Sequence, residues 1–237
     1  MINFLKGIIV GIFNIIPGLS GSAMLVVFNL YEKCLKAISD LFKSPKQSFT
    51  FLFPIGAGII IGTYSFSNII FVLLKSYPLE TYIIFTILII TTIPNLFKEG
   101  TKNGFKKDYL IPFIITFTIG ILFIFLDIKD LNYNIDYSFL GLLKYLLIGI
   151  ILSFSTVIPG ISTTVLLSII NLYGIYIYSI STFNMFVLIP IFISFTITTF
   201  LISKLINYLL NKYYGYTYFA ILGFCLSTFL CFIKVFI

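Results

Sequence analysis

Ile16-Pro17-Gly18-Leu19-Ser20-Gly21-Ser22 interrupts an apolar run that starts at Ile2 and resumes through residue 42. Proline has no amide hydrogen to donate, and glycine leaves the backbone free, so a helix entering from Ile2 stops here. The stretch returns as Ile158-Pro159-Gly160-Ile161-Ser162-Thr163-Thr164. The offset is 159 − 17 = 142, and at that offset Asn29-Leu30-Tyr31 falls on Asn171-Leu172-Tyr173. Six residues are then lost from the second copy. Pro54 falls on Pro190 at 190 − 54 = 136, followed by Thr63 on Thr199, Ser67 on Ser203, Thr81-Tyr82 on Thr217-Tyr218 and Lys98 on Lys234. The chain reads as two related halves.

Working outward, each half is expected to contain four apolar pieces. These are 2–16, 22–42, 51–74 and 81–97 in the first half, and 139–158, 162–181, 184–210 and 216–235 in the second. One further span, 109–127, joins them. An odd number of connecting spans turns the second half over relative to the first, and inverted repeats are a common architecture of secondary transporters. The expected fold is an all-α polytopic membrane protein, a single membrane domain over 1–237. It divides into a first repeat (1–98), a connecting transmembrane helix (109–127) and an inverted second repeat (139–235). The piece 2–16 is about 22 Å long at ~1.5 Å per residue, short of a ~30 Å hydrocarbon core. Each Pro-Gly break is therefore expected at the tip of a re-entrant helical hairpin, followed by two transmembrane helices. Broken backbone at that depth survives only when buried in protein or lining a wet cavity. The alternative is a pair of ordinary spanning helices with a tight turn outside the bilayer.

Composition sets the same class. The chain has 237 residues, 59% hydrophobic and 10% charged, with mean hydropathy +1.12. A soluble domain carries roughly a quarter of its residues charged. No cleavage site for a signal peptide follows the first apolar run. Cys34, Cys225 and Cys231 have neither metal nor disulfide spacing. The net charge of +7 comes from Lys alone, with no Arg. The lysines form no basic face for nucleic acid and report orientation instead. Placing the N-terminus in the cytoplasm puts Lys6, the Lys33–Lys46 stretch, the Lys98–Lys107 loop, Lys204 and Lys212 inside. Only Lys75, Lys129, Lys144 and Lys234 then fall outside, as the positive-inside rule favours, and the C-terminus lies outside.

The candidate site is the pair of breaks. Ser20, Gly21 and Ser22 follow Pro17-Gly18, and Ser162, Thr163 and Thr164 follow Pro159-Gly160. In both copies a helix begins there, offering unpaired N–H groups, partial positive charge and hydroxyl donors. Two such starts facing each other make an anion site, and phosphate is the usual guest. The same residues could equally serve as caps alone. Asn14, Asn29 and Asn171 lie on the apolar pieces and are expected to line the cavity or bond between helices. Glu32 and Lys33 follow Tyr31, at the far end of the helix that starts near Ser22. Charge at membrane depth is costly and marks function by default. The chain has no His and no Arg, and no pair of carboxylates falls on one intramembrane helix. Phosphate hydrolysis usually needs such groups, so a transporter is expected rather than an enzyme, with no metal and no cofactor.

The run Gly7-x-x-x-Gly11-x-x-Asn14-Ile15-Ile16-Pro17-Gly18-Leu19-Ser20-Gly21, with Asn29-Leu30-Tyr31-Glu32-Lys33 and the second Pro159-Gly160-Ile161-Ser162, resembles the bacterial polyprenyl-phosphate transporter family. The resemblance covers nearly the whole chain. Members read Ser-Gly-Gly or Ser-Gly-Ser after Pro-Gly-x. Ser20-Gly21-Ser22 fits, and Ser162-Thr163-Thr164 departs by losing the glycine. The resemblance implies a bacterial plasma-membrane protein that returns undecaprenyl phosphate, the lipid carrier of cell-wall sugars, from the outer to the inner leaflet. The phosphate is expected between the two hairpin tips, with the polyprenyl tail in lipid. The rival is a channel or carrier for a small inorganic anion using the same helix starts. The expected partners are the lipid phosphate and the bilayer; a homo-oligomer and the identity of any coupling ion stay open.

Overall fold

The computed structural model describes residues 1–15, 21–125, 134–161 and 163–234. Among them it is all helix and turn. The first half holds α1 (Ile2–Ile15), α2 (Gly21–Val27), α3 (Tyr31–Ser39), α4 (Pro45–Ser76) and α5 (Pro78–Gly100). A 3-10 turn at Lys107–Tyr109 leads into α6 (Leu110–Phe125). Then come α7 (Phe139–Val157), α8 (Thr163–Ile169), α9 (Tyr173–Ser181), α10 (Met185–Lys212) and α11 (Tyr214–Lys234). Among the described residues three helices are long and apolar enough to cross a membrane: Pro45–Phe66 within α4, Phe139–Val157, and Met185–Lys212. Their outward faces carry large apolar side chains such as Ile60, Ile189 and Phe192. In water such exposure would be a liability; in lipid it is the expected surface.

The pieces read as single helices over 22–42 and 162–181 are each divided. The first splits into α2 and α3, and the second into α8 and α9. The cause is local. Asn29 and Asn171 adopt left-handed backbone, with φ of 54° and 59°. Leu30 N–H then reaches back to the Leu25 carbonyl at 2.8 Å, and Leu172 N–H to the Leu167 carbonyl at 2.8 Å. This closes a helix end by the bond pattern that usually takes glycine and sometimes asparagine. Leu30 packs beside Leu25, the apolar contact that accompanies this cap. So Asn29 and Asn171 end helices rather than sit within them. Glu32 and Lys33 belong to the first turn of a new helix, not to the end of the one begun near Ser22.

Element ends recur between the halves. α2 ends at Val27 and α8 at Ile169, and α3 and α9 match end for end, at the offset of 142. α4 and α10 end at Ser76 and Lys212, and α5 and α11 start at Pro78 and Tyr214, at the offset of 136. Single residues link those long helices. Tyr77 (φ −138°, ψ 59°) and Tyr213 (φ −129°, ψ 49°) share one conformation.

The closest packing runs along α1 and α4. A Cβ on Gly7 would sit 2.4 Å from the Ile55 carbonyl oxygen, and one on Gly11 2.3 Å from that of Ile59. From the other side, a Cβ on Gly58 or Gly62 would sit 2.2 Å from the carbonyl oxygen of Phe4 or Ile8. Small residues spaced by four let two membrane helices touch backbone to backbone. Thr63 adds a hydroxyl bond to the Gly11 carbonyl, 3.1 Å. α7 and α10 keep one of the four glycines. A Cβ on Gly149 would sit 2.3 Å from the Ile191 carbonyl oxygen. The counterparts of Gly11, Gly58 and Gly62 are Ser153, Ser194 and Thr198. The Ser153 hydroxyl bonds to the Phe195 carbonyl at 2.8 Å. Thr199 donates to Ser153 Oγ at 3.2 Å. The main core joins the halves: Ala23, Val26, Tyr31 and Leu35 pack with Leu96, Val157, Ile202 and Leu222. α6 lies along α11, where Thr116 bonds to the Ala220 carbonyl at 2.8 Å.

Candidate functional site

Pro17, Gly18, Ser20 and Ser162 lie outside the described residues. The residues around them show how each break is held. In the first, Asn14 Oδ1 accepts from the Gly21 N–H at 2.9 Å, tying the end of α1 to the start of α2. A Cβ on Gly21 would sit 2.2 Å from that oxygen, so glycine is what allows the bond. Asn14 therefore serves as a cap across the turn. Lys6 ties the other end of α2, donating to the Phe28 carbonyl at 3.2 Å. A cation at a helix C-terminus meets its partial negative charge. In the second break, Pro159 is fully buried and Gly160 has φ +88°. Gly160 lies hard against α11, where a Cβ would come 2.5 Å from the Cys225 nitrogen. Its bare backbone thus makes room for a helix. Thr163 Oγ1 pairs with Ser155 Oγ across the turn. Thr164 stands in the first turn of α8.

Glu32 and Lys33 are exposed and border a polar cavity of about 380 Å³, with Asn29, Tyr31, Glu99, Lys102 and Tyr218. The carboxylates are held. Glu32 Oε1 accepts from Tyr218 Oη at 2.7 Å and lies 2.9 Å from Tyr214 Oη. Tyr214 Oη is also 2.9 Å from Glu99 Oε2, and Lys102 Nζ is 3.5 Å from that oxygen. Tyr214 has one hydroxyl hydrogen and two carboxylate neighbours, so it donates to one at a time. Lys33 is in no ion pair among the described residues. The cavity therefore offers an ammonium group with no competing carboxylate bonded to it. Tyr31 forms the inner wall and donates to the Val157 carbonyl at 3.0 Å, next to the second break. With the bonds from Tyr214 and Tyr218 to Glu32, it ties the start of α3 to the other half.

Ser22, buried in the first turn of α2, borders a second, apolar cavity of about 240 Å³ that also touches Thr156 and Val157. Residues next to both breaks thus share one space. Sequence reasoning missed Glu99, Lys102, Tyr214 and Tyr218. Glu99 and Lys102 stood in a lysine-rich loop that read as a topology signal. Tyr218 had registered only as a repeat match. Tyr214 and Tyr218 lie 182 and 186 residues from Glu32, so no local pattern could join them.

A model of the undecaprenyl phosphate translocase-like family matches residues 41–234. The polyprenyl-phosphate transporter of Staphylococcus aureus is 29% identical over 237 residues, covering 96% of this chain and 84% of that protein. The polyprenyl-phosphate transporter of Vibrio cholerae is 21% identical over 239 residues, covering 95% of this chain and 75% of that protein. No solved structure matches. The family match takes in all helices from α4 to α11, far more than half of the sequence, and the chain belongs to the undecaprenyl phosphate translocase-like family.

Proposed function

We propose that this protein moves undecaprenyl phosphate between the leaflets of the bacterial plasma membrane, without making or breaking a covalent bond. The observation that carries this reading is the polar cavity at the foot of α2 and α3. It places Lys33 and Lys102 beside an apolar bundle, one wall away from a space shared by both breaks. An anion entering a low-dielectric interior must exchange its water for donors, or the cost is prohibitive. Lys33 supplies charge at the entrance. The starts of α2 and α8, with Ser20, Ser22, Ser162, Thr163 and Thr164, supply N–H and hydroxyl donors further in. Both curated relatives are named for polyprenyl phosphate, which favours a lipid anion over a free inorganic one.

The architecture belongs to the same proposal. Two inverted repeats, 1–98 and 139–235, would each contain a re-entrant hairpin and two transmembrane helices, joined through α6. The recurring helix ends support the repeat. The shortness of α2 and α8, seven residues each and so ~10 Å long, supports helices that stop within the bilayer. The lysine distribution supports a cytoplasmic N-terminus and an external C-terminus.

The test is leaflet accessibility of undecaprenyl phosphate in vesicles reconstituted with the purified chain. The expected result is exchange between leaflets that Lys33→Gln slows. No movement of the lipid by the wild-type chain would overturn the reading, and movement of inorganic phosphate instead would favour a small-anion carrier.

A further inference from the structure

The apolar cavity lies between α2, α3, α4, α7 and α10. Two of its features call for an occupant. Ser203 is fully buried on its border, and its hydroxyl has no hydrogen-bond partner. Other buried helix serines behave differently: Ser153, Ser179 and Ser194 each bond the carbonyl four residues back, at 2.9, 2.7 and 3.0 Å. A buried polar group left unpaired in a native fold needs an explanation, and a ligand oxygen is one. The second feature is Gly56, also on the border: no heavy atom lies within 4 Å of where its Cβ would be. Elsewhere on α4 the glycines are pressed against backbone; here the space is empty.

The cavity is also continuous in chemistry with the polar one. Tyr31 borders both. Lys33 and Lys102 line the first with it; Cys34, Leu52, Ile55 and Ile59 line the second. A single charged group would need only the first space, and a hydrocarbon only the second. A molecule with an anionic head and a hydrocarbon stem uses both. The volume of about 240 Å³ equals roughly eight waters at ~30 Å³ each, below the several hundred Å³ that enclose a whole drug-sized ligand. It can take a short stem, not a long tail.

Resting on the transport reading above, we propose that the apolar cavity binds the head-proximal isoprenoid units of the lipid phosphate and the ester oxygen that ends them. Ser203 faces that oxygen, and the phosphate lies beyond Tyr31 toward Lys33. The tail does not stay wholly in lipid, as the sequence alone suggested. Its first units enter the protein, and the remainder leaves into the bilayer. The protein then reads the junction of head and chain rather than the phosphate alone.

The experiment uses the full chain in nanodiscs, with Cys225→Ala and Cys231→Ala, so that Cys34 reports from the cavity wall. Methyl methanethiosulfonate labels Cys34 in the presence of undecaprenyl phosphate, dioleoyl phosphatidic acid or inorganic phosphate, and binding of each is measured separately. The expected result is that undecaprenyl phosphate slows labelling at least fivefold and the other two leave it unchanged. Gly56→Phe, which fills the empty space, should weaken undecaprenyl phosphate binding at least tenfold without changing inorganic phosphate binding. Ser203→Ala should weaken it severalfold while leaving the melting temperature of the unliganded protein unchanged or raised. If undecaprenyl phosphate binds but neither protects Cys34 nor responds to Gly56→Phe, the proposal is overturned and the transport reading stands. If phosphatidic acid protects equally, the cavity is a general acyl-chain site and the isoprenoid assignment is overturned. If the wild-type chain binds no undecaprenyl phosphate at all, the transport reading falls and this proposal with it.

Discussion

Asn29-Leu30-Tyr31-Glu32-Lys33 and Asn171-Leu172-Tyr173-Gly174-Ile175 occupy equivalent turns, and they part company after the tyrosine. Both asparagines are left-handed, and both leucines close the preceding helix with a 2.8 Å bond. In the first half the next residues are charged and border the polar cavity. In the second they are Gly174, buried, and Ile175, at 2% exposure within an apolar cluster with Tyr145 and Leu167. The same backbone thus carries a polar, cavity-lining surface in one half and core in the other. Positions that build the turn are repeated; positions that line the polar cavity are not. A duplicated fold can in this way present a single asymmetric mouth.

The sharpest way to break the comparison is at the helix seams. Gly11→Leu drives a side chain into the Ile59 carbonyl, and the expected result is loss of folded protein, at least ~3 kcal/mol, read as collapse of the detergent melting curve. Ser153→Ala at the matching position of α7 removes the hydroxyl that bonds the Phe195 carbonyl and accepts from Thr199, and should cost less, about 1–2 kcal/mol. Equal effects at the two positions would mean that the seams are not equivalent structures.

Next comes the tyrosine of each turn. Tyr31→Phe leaves the Val157 carbonyl without its partner in a buried setting, an expected loss of about 1–3 kcal/mol in the same measurement. Tyr173→Phe, half-buried on the other turn, should cost less than half of that. The charged residue that follows distinguishes binding from folding. Lys33→Gln should leave the melting temperature unchanged and weaken undecaprenyl phosphate binding by about 1–3 kcal/mol, the range for a hydrogen bond to a charged group. A shift in stability with unchanged affinity would assign Lys33 to the fold instead.

The smallest effect lies at the start of the second half. Ser138 N–H donates to Asp136 Oδ1 at 3.0 Å, and Lys144 pairs with the other oxygen at 3.3 Å. These contacts, Ser138 first, hold the Asp136 carboxyl below its ordinary range. A depressed carboxylate contributes stability above its unfolded pKa and loses it as pH falls through the folded value. Protection of the Ser138 amide, relative to its intrinsic exchange rate at each pH, should therefore hold at neutral pH and be lost only below about pH 4, the ordinary Asp range. Protection unchanged down to pH 2 would show that this carboxylate contributes nothing to the entry of α7.

The interruptions between α1 and α2 and between α7 and α8 were legible because proline and glycine leave a compositional mark. The recurrence of helix ends was legible because Asn-Leu-Tyr returns at the same offset as Pro-Gly. The divisions at Asn29 and Asn171 were not, since an asparagine in left-handed backbone is flanked by apolar residues on both sides and leaves the hydropathy unbroken. The glycine seam could be suspected from Gly7-x-x-x-Gly11, but its partners Gly58 and Gly62 lie on a helix whose register only the packing reveals. The bonds of Tyr214 and Tyr218 to Glu32 are long-range consequences of α11 folding back over α3, and nothing in either segment announces the other.

The glycine seam also governs mechanics. Where backbones touch, there is no layer of side chains to reshuffle between rotamers, and a slide of one residue would drive a Cβ into a carbonyl. α1 and α4 are therefore one rigid beam, whereas α7 and α10 are joined by a seam that holds serine and threonine side chains. Freedom to swing is left to the places where the long helices meet their successors through a single residue, at Tyr77 and Tyr213. Spin labels on α1 and α4 should keep one sharp distance with and without lipid, whereas labels on α4 and α5 should not. Equal sharpness of both distances would mean that Tyr77 is as fixed as the seam.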